Sequence, residues 1–200
     1  MVRGLFPRVE QATVLTTLGR SVVFVTSANI ESLILARPFD RSAWSLANLY
    51  LASVGADLLG ERAPRIVGLS EGTTCFVSPQ YFDERDPFAD FVVHEAAHIF
   101  HNCKRRTVGL PGTRAKEWLL DIEFGKRETF AYSCEAYSRI QERATSPAHR
   151  RALADEYAST VRITDKEADS AEVASIVRDA AAARNGWKVI RARCATVSVS

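Results

Sequence analysis

His94-Glu95-Ala96-Ala97-His98 places two imidazoles four residues apart, with a carboxylate beside the first. On a helix, with about 100° of turn per residue, positions four apart lie within about 40° of each other. Both rings can therefore hold one ion from one face. This H-E-x-x-H spacing is the one that binds zinc, and the metal lowers the pKa of its water to about 7. Glu95 reaches that water without displacing it and is assigned as the general base for attack on a polarised carbonyl. Chance recurrence is the competing explanation, and scarcity weakens it, because the chain has only four histidines. The flanking Phe91, Val92, Val93, Ile99 and Phe100 make the segment apolar almost all round, so it should be buried. Buried imidazoles need partners, and a metal supplies them.

A hydrolytic zinc site takes a third protein ligand and keeps one position open. Positions 101 and 104 are His and Lys, so the extension H-E-x-x-H-x-x-G-x-x-H is absent. His101 lies about 20° from His94 around the helix but a turn farther along, and is expected at the cleft edge. His149 stands in a polar segment and should face solvent. A carboxylate from a later helix remains, with Glu128 and Glu135 as the candidates. Glu128, Tyr132, Glu135 and Arg139 share one helical face within about 60°, while Phe130, Cys134 and Tyr137 take another. An exposed polar stripe with a Glu135–Arg139 pair is the plain alternative. Tyr132 within that stripe is a candidate oxyanion donor.

The elements that must position these groups follow from local signals. A strand is expected over 21–26, and a helix over 41–59 capped by Asp40 and stopped by Gly60, with Trp44, Ala47, Leu51, Val54 and Leu58 facing the core. Strands are expected at 65–69 and 73–77. Asp86-Pro87 predicts a helix start, with the helix running to about 106, where Lys104-Arg105-Arg106 would meet the negative end of its dipole. Residues 107–113 read as a loop. Further helices are expected over 126–143, from Ser146-Pro147, and from a Thr164/Glu167 capping box to a stop at Asn185-Gly186. The tail 187–200 alternates and reads as a strand.

H-E-x-x-H followed a few tens of residues later by Glu128-x-Phe130-Ala131 resembles the gluzincin class of zincin metallopeptidases. More narrowly it is similar to the catalytic core shared by anthrax lethal factor and the Mlc titration factor peptidases. The resemblance implies that Glu128 is the third zinc ligand and that Glu135 orients a ligand histidine or pairs with Arg139. Where that family carries a tyrosine ahead of the ligand glutamate, position 121 is Asp, which leaves Tyr132 as the substitute. It also implies a zincin-like α+β fold: a small twisted sheet over the H-E-x-x-H helix, with several more helices. Residues 61–145 would be the catalytic core of a single domain spanning 1–200, and 146–200 its C-terminal helices and strand. In such folds an edge strand holds an extended substrate, and 73–77 is the candidate.

The 200 residues are 46% apolar with a net charge of +2, enough for a real core and too neutral to recommend nucleic acid or an anionic surface. The Lys104-Arg105-Arg106 run could contact an anionic partner but reads first as a helix end. No apolar run approaches the roughly 20 residues needed to span a bilayer. Four cysteines without a CxxC pair suggest a reduced, cytoplasmic protein, with Cys103 and Cys134 as small buried residues. The expected function is a zinc metallopeptidase acting on a protein or peptide. A zincin-fold binding or regulatory protein is the alternative, and hydrolysis of a non-peptide amide is a third. Oligomeric state is not encoded in any of these signals.

Overall fold

The computed structural model describes residues 1–37, 40–113 and 116–196. Helices α1 (Val2–Leu5) and α2 (Arg8–Leu18) lead to strand β1 (Val22–Phe24). Helices α3 (Ile30–Leu35) and α4 (Asp40–Ser53) precede a hairpin of β2 (Gly68–Glu71) and β3 (Thr74–Val77). Then come α5 (Phe91–Asn102), α6 (Arg127–Arg143), α7 (Pro147–Thr160), α8 (Ser170–Ala182) and α9 (Gly186–Cys194). Helices with one small sheet make the class α+β.

The sheet order is β1-β3-β2, with β1 parallel and β2 antiparallel to β3. Side chains alternate across it. Val22, Phe24, Cys75 and Val77 join a core with Ala97, Ile99 and Phe100 of α5. Val23, Val25 and Phe76 face the other way, onto Leu46 and Leu49 of α4. A sheet covered on both faces needs apolar residues at consecutive positions, which is why β1 and β3 read as unbroken runs. Because β3 is central, with both edges paired, the expected use of 73–77 as a peptide-holding edge is overturned. β2 is the edge strand next to α5. It also starts later than the expected 65–69, because pairing runs outward from the two-residue turn, Glu71 opposite Thr74 through Gly68 opposite Val77.

Three helix expectations are corrected. α4 ends at Ser53 rather than 59, because Gly55, in the left-handed region at φ 72, stops it before Gly60. Its buried residues are Leu46, Asn48, Leu49 and Ala52, while Trp44 and Val54 are exposed. Apolar residues on both faces made the periodicity ambiguous. The Asp40 cap lies outside the described side chains. α5 starts at Phe91, not 87, since Asp86 holds a turn through the Phe88 N–H at 2.8 Å and Asp90 is the cap, accepting from Val93 N–H at 3.1 Å. α5 also ends at Asn102. Arg105 is therefore not a dipole partner but is buried in an ion pair with Glu10 of α2.

The C-terminal part is corrected at three points. Asp169, not Thr164, caps α8 through the N–H groups of Ala171 and Glu172. Asn185 opens α9 rather than closing the preceding helix, accepting from Lys188 N–H. The expected strand over 187–200 is thus helical through Cys194, and positions 197–200 lie outside the described residues. Ile190 and Cys194, one turn apart and both fully buried, gain more against the main core than an alternating strand offers. Full burial of one such side chain contributes roughly 1.5–3 kcal/mol. That core draws on both ends of the chain, from Val2 to Cys194. No helix among the described residues is long and apolar enough to cross a membrane.

Candidate metal centre

α5 carries the H-E-x-x-H residues, and α6 packs against it with Glu128 in its first turn, where the helix dipole favours a carboxylate. His94 Nε2 lies 3.1 Å from His98 Nε2. Glu128 Oε2 lies 3.5 Å from His94 Nε2, and Glu128 Oε1 lies 3.4 Å from His98 Nε2. A tetrahedral zinc ion with ligands at about 2.0–2.1 Å has ligand–ligand edges of about 3.3 Å. The His94–His98 separation is close to that figure, and each imidazole has one of the two Glu128 oxygens at a similar distance. Among the described residues, this trio is the group whose ligand atoms all lie within 4.8 Å of one another.

Glu135 stands on the other side of His94. Its Oε2 is 3.1 Å from His94 Nδ1, and its Oε1 accepts the Asp90 backbone N–H at 2.7 Å. The carboxylate thereby accepts a hydrogen bond from Nδ1–H, aims the Nε2 lone pair at the meeting point and ties the start of α5 to α6. The structure brings Glu128, not Glu135, to that point. The expected Glu135–Arg139 pair does not form, because Arg139 pairs with Glu142 and Glu135 is buried. Phe130, Cys134 and Tyr137 are buried, as expected, as is Cys103, and all four cysteines are free.

The trio could hold a metal ion, and its electrostatics favour positive charge at His94. Burial opposes a charged His94, but the Glu128 and Glu135 carboxylates outweigh it and push the ring up to about 10. For Glu128, burial raises the carboxyl, yet the bonds to His94 and His98 prevail and hold it well below the usual carboxylate range. Burial raises Glu95, against the pull of His94, His98 and the Ser70 hydroxyl. A carboxylate lifted this way is suited to take up and release a proton. Gly68 of β2 makes room for it: a Cβ there would stand 2.5 Å from Glu95 Oε1 and 2.7 Å from its Cγ.

Tyr132 packs its ring against His94, centroids 4.6 Å apart at 72°. Burial, then Asp165 and Glu135, push its phenol upward, so it keeps its proton and remains a donor. His101 is not at the cleft edge. It is buried behind His98, with its Nε2 3.0 Å from His98 Nδ1. Burial first, then His98 and Arg127, lower it to about 3. His149 is exposed, as expected.

A cleft of about 610 Å³ opens over the trio, lined on one side by β2 and the approach to it, including Arg65, Gly68 and Ser70, and on the other by Tyr132 and Asp165. A second hollow of about 540 Å³ adjoins it, sharing Phe91, Tyr132, Glu135 and Thr164. Both reach the segment between α7 and α8, which carries no metal-ligand pattern, so its place beside the site was not visible in the sequence. Gly68, Ser70 and the buried position of His101 behind His98 were also missed. His101 had one available signal, its three-residue spacing from His98. Comparison with protein-family models, curated proteins and solved structures finds no match for this chain.

Proposed function

We propose that this protein is a zinc-dependent metallopeptidase with a gluzincin-type site on a zincin-like fold. The observation that carries the reading is the convergence of His94 Nε2 and His98 Nε2, 3.1 Å apart, on the Glu128 carboxylate, whose Oε2 and Oε1 face them at 3.5 and 3.4 Å, with Glu95 buried beside them. Two imidazoles and a carboxylate are a donor set of catalytic zinc, whereas structural zinc favours closed, cysteine-rich sites. Zinc held there supplies polarisation of a carbonyl and acidification of water.

The chain's own residues do the rest. Glu95 takes a proton from the attacking water and delivers it to the leaving amine. Tyr132, protonated and at the cleft, donates to the oxygen that becomes negative as the carbonyl is attacked. Glu135 holds His94 in its ligand tautomer. The free edge of β2 runs along the cleft, so an extended protein or peptide substrate pairs there by strand addition. Four buried free cysteines support a reducing, cytoplasmic setting.

The test compares cleavage products in a proteome treated with native protein or with Glu95→Ala, after one equivalent of zinc is shown to bind both. Cleavages present only with native protein support the peptidase. Stoichiometric zinc without any such cleavage returns the protein to the binding or regulatory reading.

A further inference from the structure

The two ligand histidines are oriented by different partners. His94 donates a hydrogen bond from Nδ1–H to a carboxylate from α6, whereas His98 faces another imidazole on its own helix, 3.0 Å away. We propose that His101 is a positioning residue: its Nε2 accepts the Nδ1–H of His98 and so fixes the tautomer whose Nε2 lone pair points to the metal. This rests on the zinc reading above and adds a residue to it.

An imidazole pair is ambiguous by itself, since either ring can donate. Here the ambiguity is resolved from outside. Asn102 Oδ1 lies 3.4 Å from Arg127 Nη1 and 3.2 Å from His101 Nδ1. A guanidinium only donates, so the Asn102 atom facing it is the carbonyl oxygen. That oxygen accepts from His101 Nδ1–H as well. Neither of the groups at the His101 ring nitrogens is a carboxylate, so the buried ring carries one proton, and that proton is on Nδ1. Its Nε2 must then accept, and His98 must donate from Nδ1. The reverse arrangement would put a proton on His98 Nε2, which stands 3.1 Å from His94 Nε2, and would close the site to a metal.

Helix geometry makes this economical. A three-residue step places His101 next to His98 on one face of α5, and the rings meet nearly perpendicular at 89°, with centroids 5.0 Å apart. Phe130 of α6 stands edge-on to the His101 ring at 6.5 Å. The chain from Arg127 through Asn102 and His101 thus aligns one ligand without a carboxylate, while Glu135 aligns the other with one. One carboxylate among the orienting groups avoids adding a second buried negative charge behind a site that already holds Glu95 and Glu128.

The test uses His101→Phe, which keeps the ring shape without an acceptor, and His101→Gln, whose amide oxygen can replace Nε2. Zinc affinity is measured by chelator competition, and the His98 tautomer by long-range ¹H–¹⁵N NMR on metal-free protein. The expected result is about 10–100-fold weaker zinc binding for His101→Phe, with His101→Gln within a few fold of native. NMR should show His98 protonated at Nδ1 in native protein and in His101→Gln. Asn102→Ala, at an exposed position that leaves the core intact, should weaken zinc binding several-fold. Native affinity in His101→Phe, or an Nε2–H tautomer of His98 in native protein, overturns the role of His101 alone. Native protein that takes up no zinc overturns the metal reading and this role with it.

Discussion

Replacing Gly68 with alanine plants a methyl group against the carboxylate assigned as the base. The new Cβ would lie 2.5 Å from Glu95 Oε1 and 2.9 Å from its Cδ, whereas ordinary contact begins near 3.4 Å. The carboxylate must retreat by about 0.9 Å, and displacements near 1 Å in catalytic geometry cost about 100-fold. The obstructed atoms are the end of a flexible side chain, so the fold should lose only about 1 kcal/mol, or roughly 2–4 °C in Tm for a chain of this size. Glu95 is not a ligand, so zinc affinity should stay at the native value. The expected pattern is therefore a fall of about two orders of magnitude in kcat/KM with metal content and fold preserved. The assay follows a peptide containing a bond cut by native protein but not by Glu95→Ala, alongside zinc titration and thermal unfolding. A Gly68→Ala protein that cleaves within threefold of native would refute the placement of Glu95 against β2 as the source of its basic role.

Zinc uptake should be linked to protons: His94, raised to about 10 chiefly by Glu128 and Glu135 against burial, carries a proton at pH 7.5 and must release it, about one per zinc. Affinity then rises with pH, and calorimetry in two buffers of different ionisation enthalpy reads the release; none at all contradicts the electrostatic picture. In metal-free protein the same raised pKa has the opposite consequence, since its stabilisation is complete below the ordinary 6.5 and fades as pH climbs towards 10. Glu135→Gln should weaken zinc about 10–100-fold by loosening His94, and Glu128→Gln should weaken it more, by removing a ligand; the reverse order in chelator competition would exchange their roles. Glu10→Ala strips the carboxylate from buried Arg105, whose guanidinium lies 2.6 Å from it, and should cost about 3–5 kcal/mol in urea unfolding. Glu117→Ala breaks the half-exposed pair with Lys104 and should cost about 1 kcal/mol or less, so similar losses at the two sites would argue against burial as the cause.

The sequence determined what depends on neighbours along the chain. The four-residue spacing of His94 and His98 places both rings on one side of any helix, and the 126–143 expectation nearly matches α6 because Phe130, Cys134, Tyr137 and Ile140 repeat at helical intervals with one outcome. The start of α7 at Ser146-Pro147 was legible for the same reason: a cap acts within three residues. Strand identity in β1 and β3 also followed from composition. Only the tertiary structure decided what depends on distant partners. Glu128 and Glu135 share a face of α6, and their difference arises because α5 offers Nε2 atoms to one and His94 Nδ1 to the other. Which edge of the sheet is free, whether Arg105 meets solvent or Glu10, and whether 187–194 becomes strand or helix were all set by what packs alongside. Local propensities differ by well under 1 kcal/mol per residue for most side chains, so a few buried contacts worth several times that amount overrule them.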